Sequence, residues 1–415
     1  MAGKVGGGFL SAMDLATFQF EKLSGLLGFL AADNPFYKEK LKGDWEVGSL
    51  AEFSGRVPFT TKLELAADRV LFSPYGSNLS RPLEEYTRFH QTSGTSGQPM
   101  IWLDDASGWR WICESWAWVW REAGVRAGEA AFFPFSFGPF LGFWAGYESA
   151  ASVGLRVIPG GGLSSEQRLR MMERLRPEIL CCTPTYGLRL AQVAEGLGMR
   201  AGDLGVGMIL VAGEPGGSLP AVRESLEKAW GATVVDHHGM TEVGPVTVSG
   251  SGDWLKINHR AYFCEVIDPV TGDAAEFGEV GELVLTTLGR EASPLIRYRT
   301  GDLVLAEMVE GEEGFVLKGG ILGRADDMVV VRGVNLYPGA VEEVVRSVAG
   351  IGEYRVTVSE RNALSEVSVE AEGSAAAAVE LAKALRNAFS LRIPVVAVEP
   401  GSLPIFEVKA KRWVG

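Results

Sequence analysis

The spacing of apolar residues divides this chain into regions of different texture. Residues 9–30 place apolar side chains at three- and four-residue intervals, which predicts an amphipathic opening helix. Tyr86–Gln91 is a short strand-like run that leads into a glycine-rich stretch. Residues 109–122 are rich in tryptophan and mix helical spacing with alternation. They therefore predict either buried core or a subunit contact.

The middle of the chain alternates short apolar runs with helical patterns. Helical patterns occupy Ser165–Leu175 and Pro220–Trp230, among others. The apolar runs cover residues 130–134, 156–159, 178–183, 206–213 and 233–237. This rhythm predicts strand–helix units and a largely parallel sheet.

After Gly239 the pattern changes twice. Short apolar runs separated by glycine and aspartate come first and predict antiparallel sheet, at residues 264–267, 281–287, 303–308 and 314–317. From residue 326 onward, strand-like and helical segments alternate in a stretch long enough for a small domain. We therefore predict a large domain over residues 1–325 and a small domain over residues 326–415, with the boundary at Asp326.

Length and composition restrict the class of protein. At 415 residues the chain exceeds what one hydrophobic core usually organises, which agrees with two domains. A formal net charge of −13 argues against a nucleic-acid partner, whose binding depends on clustered lysine and arginine. Charged residues interrupt the opening helix, and prolines and glycines break the uncharged run 130–147. Neither a signal peptide nor a membrane-spanning helix is therefore expected.

The number and spacing of the cysteines indicate a cellular compartment. The chain has 4 cysteines, and their spacing is that of neither a disulfide framework nor a zinc site. A reducing cytoplasm is therefore the expected location.

The first motif with chemical meaning is a hexamer of hydroxyl and glycine residues. Glycines let backbone amides approach an anion, and the hydroxyls add donors, as a phosphate cradle requires. The motif lacks the Gly-Lys-Ser/Thr ending of a Walker loop, and the same composition also fits a flexible loop. It consists of Thr92, Ser93, Gly94, Thr95, Ser96 and Gly97.

A second motif follows the last predicted strand of the parallel sheet, at the edge where such sheets bind ligands. Thr241 offers a hydroxyl to a phosphate oxygen, and Glu242 offers a carboxylate to Mg²⁺. His237 and His238 precede them, and both histidines also fit a packed or capping role.

Two further segments carry polar residues with an alternative structural explanation. Asp302 suits a vicinal diol, because a carboxylate accepts two hydroxyl hydrogen bonds, although an aspartate in a hairpin turn explains it equally. The basic tail, residues 403–412, by itself indicates only a solvated end.

Taken together, these motifs are more specific than any one of them. In this order and at these separations they resemble the adenylate-forming superfamily of acyl-CoA synthetases, adenylation domains and luciferases, and most closely the phenylacetate-CoA ligase family. Residues 34–38, 57–62, 212–215 and 331–338 add to the resemblance, which covers essentially the whole chain.

The resemblance implies a fold and a reaction. The expected fold is α/β: a large N-terminal domain with mixed and parallel sheets flanked by helices, an antiparallel subdomain, and a small α+β C-terminal lid domain. The expected reaction uses ATP and Mg²⁺ to convert a carboxylic acid to an acyl-adenylate, which then forms a thioester with coenzyme A.

The resemblance also implies roles for individual residues. The hexamer 92–97 would hold the ATP phosphates, Asp302 the ribose hydroxyls, and Arg324 the ribose or a phosphate. Thr241 and Glu242 would serve the α-phosphate and Mg²⁺. Lys409 would bridge the acid and the α-phosphate during adenylation, and Asp326 would be the hinge. The residues around the adenine would be Gly213, Glu214, Pro215, Asp236, His237, His238, Gly239 and Met240.

The sequence departs from the family pattern at several positions. No lysine stands near the end of the phosphate loop, where Gln98 and Met100 occur, and Val408 replaces a glycine before Lys409. His238 occupies a position where the family usually has tyrosine. These departures keep a catalytically idle nucleotide-binding relative open as an alternative. Some relatives bind a structural zinc ion, and none is expected here because the corresponding stretch offers little besides Cys264.

The acid and the acceptor are less closely determined. Phenylalanines crowd into the region where the family forms its acyl pocket, and Phe135, Phe137 and Phe140 are the candidates for an aromatic or arylalkyl acid. Ordinary hydrophobic core explains such a cluster equally well. An amine or a carrier-protein thiol could replace coenzyme A as the acceptor. Relatives are often dimers, so a homodimer is one assembly to test.

Overall fold

The computed structural model describes residues 12–43, 45–92, 99–327, 329–331, 334–361, 364–404, 406 and 410–415. It begins with four helices: α1 (Ala12–Asp33), α2 (Pro35–Leu41), α3 (Leu50–Arg56) and α4 (Lys62–Leu71). The predicted opening helix is confirmed as α1. Local chemistry starts the later ones, since Asn34 caps α2 ahead of a proline, and Thr61 and Glu64 form a capping box on α4.

An antiparallel hairpin and a long helix come next. After a short 3₁₀ helix, Leu83–Glu85, strand β1 (Tyr86–Gln91) pairs with β2 (Ile101–Asp105). The strand predicted at β1 is therefore confirmed. Asp105 caps helix α5 (Ala106–Glu122), whose Trp109, Trp116 and Trp120 are buried. The core interpretation of the tryptophan-rich segment is confirmed for these three residues.

A five-stranded parallel sheet forms the middle of the chain, with strand order β4-β3-β5-β6-β7. The predicted parallel sheet and its strand–helix rhythm are confirmed. Helices cover the connections between the strands, and a short 3₁₀ helix, Ala201–Leu204, precedes β6. In chain order the elements are β3 (Ala130–Phe133), α6 (Leu141–Ser152), β4 (Arg156–Pro159), α7 (Ser165–Leu175), β5 (Ile179–Cys182), α8 (Pro184–Gly196), β6 (Met208–Val211), α9 (Pro220–Trp230) and β7 (Thr233–Asp236).

The next region is antiparallel, as the texture after Gly239 predicts. A small hairpin of β8 (Gly239–Met240) and β9 (Gly244–Pro245) leads into a sheet of order β10-β11-β15-β14-β13-β12, with β16 paired to β14. The strands of this sheet are β10 (Thr247–Ser249), β11 (Trp254–Ile257), β12 (Tyr262–Ile267), β13 (Val280–Thr287), β14 (Tyr298–Met308), β15 (Phe315–Lys318) and β16 (Gly323–Arg324).

The last part of the chain has its own sheet and core. Strands β19 and β20 are antiparallel, and β21 and β22 add to them in parallel, giving the order β21-β20-β19-β22. Buried residues from 331 to 393 form one hydrophobic cluster beneath this sheet. The elements are β17 (Val329–Val331), β18 (Val334–Leu336), α10 (Pro338–Ser347), β19 (Ile351–Arg361), β20 (Leu364–Gly373), α11 (Ala375–Phe389), β21 (Val395–Val398) and β22 (Trp413–Val414).

Among the described residues, none of the helices combines the length and apolar character that a transmembrane segment requires.

Candidate active site

Two of the predicted motifs follow neighbouring strands at the carboxyl edge of the parallel sheet. β6 ends at Val211, just before residues 213–215, and β7 ends at Asp236. Val211 and Asp236 are register partners, so the segments after them lie side by side. Gly213 has φ +95°, a left-handed conformation that favours glycine and turns the chain sharply after the strand. Ligands bind at this edge in open parallel sheets.

The hairpin of β1 and β2 carries the predicted phosphate loop. Gln91 pairs with Ile101 at its open end, and the Thr92 amide donates to the carbonyl of Met100 at 3.0 Å. The Met100 amide in turn donates to the Thr92 hydroxyl at 3.0 Å, so Thr92 closes the base of the loop. Ser93, Gly94, Thr95, Ser96 and Gly97 lie outside the described residues, and their phosphate contacts stay a prediction.

Asp236 is a buried carboxyl at the end of β7. Ser218 donates its hydroxyl to Asp236 Oδ2, and the Asp236 amide donates to the Ser249 hydroxyl at 2.7 Å. Burial raises the pKa of Asp236 above its ordinary value. The Ser218 hydroxyl holds the Asp236 side chain in place, and its contact with the adenine stays a prediction.

His237 and His238 are adjacent in the chain but differ in environment. His237 donates from Nδ1 to the carbonyl of Thr247 at 2.6 Å, and its ring lies 4.2 Å from that of Trp116. Burial lowers the pKa of His237 to about 3, so its imidazole is neutral. It is therefore a packed core histidine, whereas His238 reaches the polar cluster around Asp302.

That cluster joins β14, β16 and the segment after β7. Asp302 and Arg324 are register partners on β14 and β16, and Arg324 Nη1 donates to Asp302 Oδ1 at 2.9 Å. His238 Nε2 lies 3.0 Å from Asp302 Oδ2, without hydrogen-bond geometry. Burial raises the pKa of Asp302, but His238 and Arg324 more than offset this, and the pKa lies below its ordinary value.

The same cluster leaves two buried polar atoms without a hydrogen-bond partner among the described residues, His238 Nε2 and Asp302 Oδ2. The two atoms lie 3.0 Å from each other, so each can also form a hydrogen bond with a polar group placed beside them. Arg324 can lie beside Asp302 because residue 301 is a glycine. Gly301 has a φ of +77°, and a Cβ on this residue would lie 2.8 Å from Arg324 Nη2. A ribose diol fits the pair, because each hydroxyl can donate to a carboxylate oxygen.

Thr241 and Glu242 form the turn between β8 and β9. Glu242 is buried, and Lys62 Nζ lies 3.7 Å from its Oε1. Lys62 reaches this point because the Thr60 amide donates to the Arg297 carbonyl at 2.9 Å, which fixes the start of α4 beside β14. A buried carboxylate at this sheet edge has the chemistry that Mg²⁺ requires, since Mg²⁺ binds through one or two carboxylates and substrate phosphates.

Arg290 supports this turn and is not apparent from the sequence. Its guanidinium is fully buried and binds Asp104 through Nε at 2.6 Å and Nη2 at 2.8 Å. Nη1 donates to the backbone carbonyl of Glu242 at 2.5 Å. Burial raises the pKa of Asp104, but Arg290 and His90 reverse that effect and lower it. Arg290 thus ties the Glu242 turn to β2, directly after the predicted phosphate loop.

The three candidate pocket phenylalanines belong to an aromatic cluster beside the phosphate hairpin. Phe135 stacks on Phe143 with a centroid distance of 4.2 Å, and Phe137 contacts Tyr147 at 5.1 Å. Phe135, Phe137 and Phe140 are half-buried, whereas Phe132 and Phe133 are fully buried in the core. The Gln91 amide donates to the Pro139 carbonyl at 2.8 Å, which fixes the cluster beside the start of the loop.

Lys409 lies outside the described residues, but the next residue reaches the same sheet edge. The Ala410 amide donates to Glu214 Oε2 at 2.9 Å. The other oxygen of Glu214 accepts from the Thr185 amide, in the first turn of α8, at 2.8 Å. The tail therefore meets the large part of the chain at residues 213–215.

Comparisons with known proteins agree with this geometry. The model of the AMP-binding enzyme family matches residues 91–289, and that of the AMP-binding enzyme C-terminal domain matches residues 333–415. The phenylacetate-coenzyme A ligase of Thermus thermophilus is 31% identical over 375 residues, covering 87% of this chain and 82% of the relative. That of Pseudomonas putida is 31% identical and covers 86% and 82%. The chain belongs to the phenylacetate-CoA ligase family.

One further ligase has been solved in several conformations, and this chain resembles them to different degrees. A 2-hydroxyisobutyryl-CoA ligase in its postadenylation state, 26% identical, matches 98% of this chain and 90% of its own with a TM-score of 0.91. The same ligase in an open conformation gives 0.75, and in its thioesterification state 0.74. The predicted adenylate-forming fold is confirmed. Because the compared protein is the same, the scores show that this chain is more similar to the postadenylation structure of that ligase than to its other two arrangements.

Within the described ranges, no three His, Cys, Asp or Glu side chains gather closely enough to hold a metal ion on their own.

Proposed function

We propose that this chain is an AMP-forming ligase that activates an aromatic or arylalkyl carboxylic acid with ATP and Mg²⁺ and transfers the acyl group to coenzyme A. One observation carries the proposal: the buried Asp302 carboxylate is held by Arg324 through Oδ1 and faces His238 through Oδ2, which has no hydrogen bond among the described residues. The catalytically idle alternative is disfavoured, because the curated relatives that cover most of the chain are ligases.

The ATP would lie along the carboxyl edge of the parallel sheet. Gly213, Glu214, Pro215 and Asp236 would border the adenine, with Gly239 and Met240 nearby, and Asp302 with His238 would hold the ribose hydroxyls. Arg324 would keep Asp302 ionised. Thr241 and the loop from Thr92 to Gly97 would contact the phosphates, and Glu242 would hold Mg²⁺, which neutralises phosphate charge when bound.

Two displacements follow from this placement. In the first, an oxygen of the acid forms a bond to the α-phosphorus of ATP, and the bond to pyrophosphate breaks. In the second, the coenzyme A sulfur bonds to the acyl carbon, AMP leaves, and the thiol loses its proton. Lys409 would stabilise the charge between acid and α-phosphate in the first step.

The nature of the acid rests on the half-buried aromatic cluster. Phe135, Phe137 and Phe140 offer ring faces and edges beside the β1–β2 hairpin, and they are half-buried, unlike Phe132 and Phe133 in the core. The phenylacetate named for the curated relatives supports an arylalkyl acid.

Coenzyme A is the acceptor that the relatives support. The curated phenylacetate-coenzyme A ligases carry it in their names, and the 2-hydroxyisobutyryl-CoA ligase has been solved with an acyl-adenylate and CoA together. An amine or a carrier protein has no comparable support.

We also infer a boundary between two domains, residues 1–325 and 326–415, with Asp326 as the hinge. Residues after 329 supply a hydrophobic core of their own, which supports the division. Arg324 donates to Asp326 Oδ1 at 2.8 Å as well as to Asp302, so the hinge residue is linked to the ribose position. A cytoplasmic location and a homodimer complete the proposal, and light scattering on the purified enzyme would test the dimer.

The test is AMP formation from ATP and Mg²⁺ over a panel of aryl, arylalkyl and aliphatic acids, each with and without coenzyme A. We expect release that depends on an aromatic acid and rises sharply with coenzyme A. Lys409→Ala should lower adenylation by about 100-fold or more, equivalent to about 3 kcal/mol. Adenylation that ignores coenzyme A would indicate another acceptor, and ATP binding without turnover would restore the idle alternative.

A further inference from the structure

One carboxylate connects the tail to the large part of the molecule. Glu214 accepts from the Thr185 amide through Oε1 at 2.8 Å and from the Ala410 amide through Oε2 at 2.9 Å. Thr185 lies in the first turn of α8, and Ala410 directly follows Lys409 in the chain. We call these three residues the Glu214 bridge.

The contact between Glu214 and Thr185 fixes the geometry of the contact between Glu214 and Ala410. Hydrogen bonds from backbone amides to a carboxylate are charge-assisted, and a helix N-terminus adds a favourable partial positive charge. The contact with Thr185 therefore orients the Glu214 side chain and leaves Oε2 directed at the tail. Both partners of Glu214 are backbone amides, so the bridge sets the position of the main chain beside Lys409.

Further contacts join the C-terminal part of the chain to the first turns of helices α8 and α9. Arg412 lies 3.4 Å from the Thr185 hydroxyl, and Glu353 holds its guanidinium with a second contact at 3.1 Å. Glu343 on α10 accepts from the Ala221 amide in the first turn of α9 at 3.1 Å. The N-termini of α8 and α9 are thus the docking points for the last ninety or so residues, roughly one small domain.

The arrangement in which these contacts occur is known from the comparison. It matches the postadenylation state of the 2-hydroxyisobutyryl-CoA ligase with a TM-score of 0.91 and its thioesterification state with 0.74. This similarity supports assigning the bridge to the adenylation side of the cycle.

We propose that Glu214 is a positioning residue that holds the tail, and with it Lys409, in place for adenylation and has no such role in thioester formation. This rests on the function proposed above. It assigns the Glu214 side chain a task separate from the adenine border formed by residues 213–215.

The test separates the two half-reactions. Pyrophosphate release is measured in single turnover without coenzyme A, using the best acid of the panel with phenylacetate tried first. Thioester formation is measured from the chemically synthesised acyl-adenylate and coenzyme A. Ala410→Pro removes the amide donor of the bridge at a residue outside the predicted adenine border, and it is expected to lower the first rate on the order of 10- to 100-fold and to leave the second within about 2-fold. The KM for ATP of Ala410→Pro should change little. Glu214→Ala should lower the first rate by a similar factor.

Matched variants sharpen this result. Glu214→Gln keeps the side-chain volume but has one acceptor oxygen, so it can hold Thr185 or Ala410 but not both. It should lose about 10-fold in adenylation, and it replaces Glu214→Ala if that variant does not fold. Glu343→Ala, which removes a contact distant from the adenine, should act in the same direction as Ala410→Pro. Equal losses in both half-reactions of Ala410→Pro and Glu343→Ala, or a raised KM for ATP with an unchanged rate in them, would overturn the proposal.

A second readout needs no turnover. Spin labels at Arg200→Cys and Lys383→Cys, both exposed, report the distance between the two parts in a Cys113→Ser background. The Glu214→Ala variant should add a longer distance to the docked one, and an unchanged distribution would contradict the bridge. If the wild-type chain forms no AMP with any acid, the proposed function fails, and this distance alone decides the bridge.

Discussion

Two aspartate–arginine pairs lie in the candidate active site, and they differ in burial and in how many of their polar atoms are hydrogen-bonded. Asp104 and Arg290 are both fully buried and bind each other twice, and the remaining guanidinium nitrogen binds the Glu242 carbonyl. Asp302 and Arg324 bind once, and Asp302 Oδ2 has no hydrogen-bond partner among the described residues. A satisfied pair holds the backbone in place, whereas an unsatisfied pair is open to a ligand.

Removing Arg290 should have the largest effect on folding. Arg290→Met leaves the Asp104 carboxylate buried without its cation, and we expect the free energy of unfolding to fall by about 3–5 kcal/mol. Urea denaturation followed by circular dichroism measures this loss. The double variant Asp104→Leu with Arg290→Met is the control, since it removes both charges and should lie closer to the wild type. Equal stability of the single variant and the wild type would contradict the structural role of this pair.

Neutralising Asp302 should instead affect the ligand. Asp302→Asn is expected to weaken ATP binding on the order of 10- to 100-fold, or about 1.5–3 kcal/mol, because a charged acceptor for the ribose is lost. The free energy of unfolding should change by less than about 1 kcal/mol, since Arg324 is partly exposed and keeps Asp326 as a partner. Calorimetric titration with ATP and thermal unfolding measure the two quantities. Asp326→Asn is the matched control, and unaltered ATP affinity in Asp302→Asn would show that the unsatisfied oxygen is not a ribose site.

At acid pH, His237 also contributes to the free energy of unfolding, and this contribution must be separated from those of the two aspartate–arginine pairs. The pKa of His237 is lowered from 6.5 to about 3, so between these values the unfolded chain binds a proton that the folded chain does not. Stability therefore falls as pH falls through this window, by up to about 1.4 kcal/mol per pH unit. The variant His237→Asn keeps a donor for the Thr247 carbonyl and should lose this slope. Parallel stability curves for the variant and the wild type would contradict a neutral, buried His237.

The sequence predicts helices and strands better than it predicts the contacts between distant segments. Tyr86–Gln91, Ser165–Leu175 and Pro220–Trp230 occur as predicted, because strand and helix patterns are set by residues a few positions apart. The hexamer and the Thr241–Glu242 turn are recognisable as motifs for the same reason. The fold class follows once these local patterns are placed in order.

Contacts between distant segments have no such local pattern. Asp104 and Arg290 are 186 positions apart, and neither lies in a recognisable motif. Glu214 and Ala410 are 196 positions apart, so the resemblance places Glu214 near the adenine without indicating its contact with the tail. Likewise, nothing in the sequence distinguishes packed His237 from His238, because the difference depends on Trp116 and on the β14–β16 register.

The Glu214 bridge also has a consequence for how this ligase can vary in evolution or in a mutant library. Glu214 binds Ala410 through the backbone amide at 2.9 Å and makes no use of its methyl group. Any residue that keeps a backbone N–H preserves this bond, and proline alone among the common amino acids lacks one. Saturation of position 410 should therefore yield a nearly even tolerance profile with a single gap at proline.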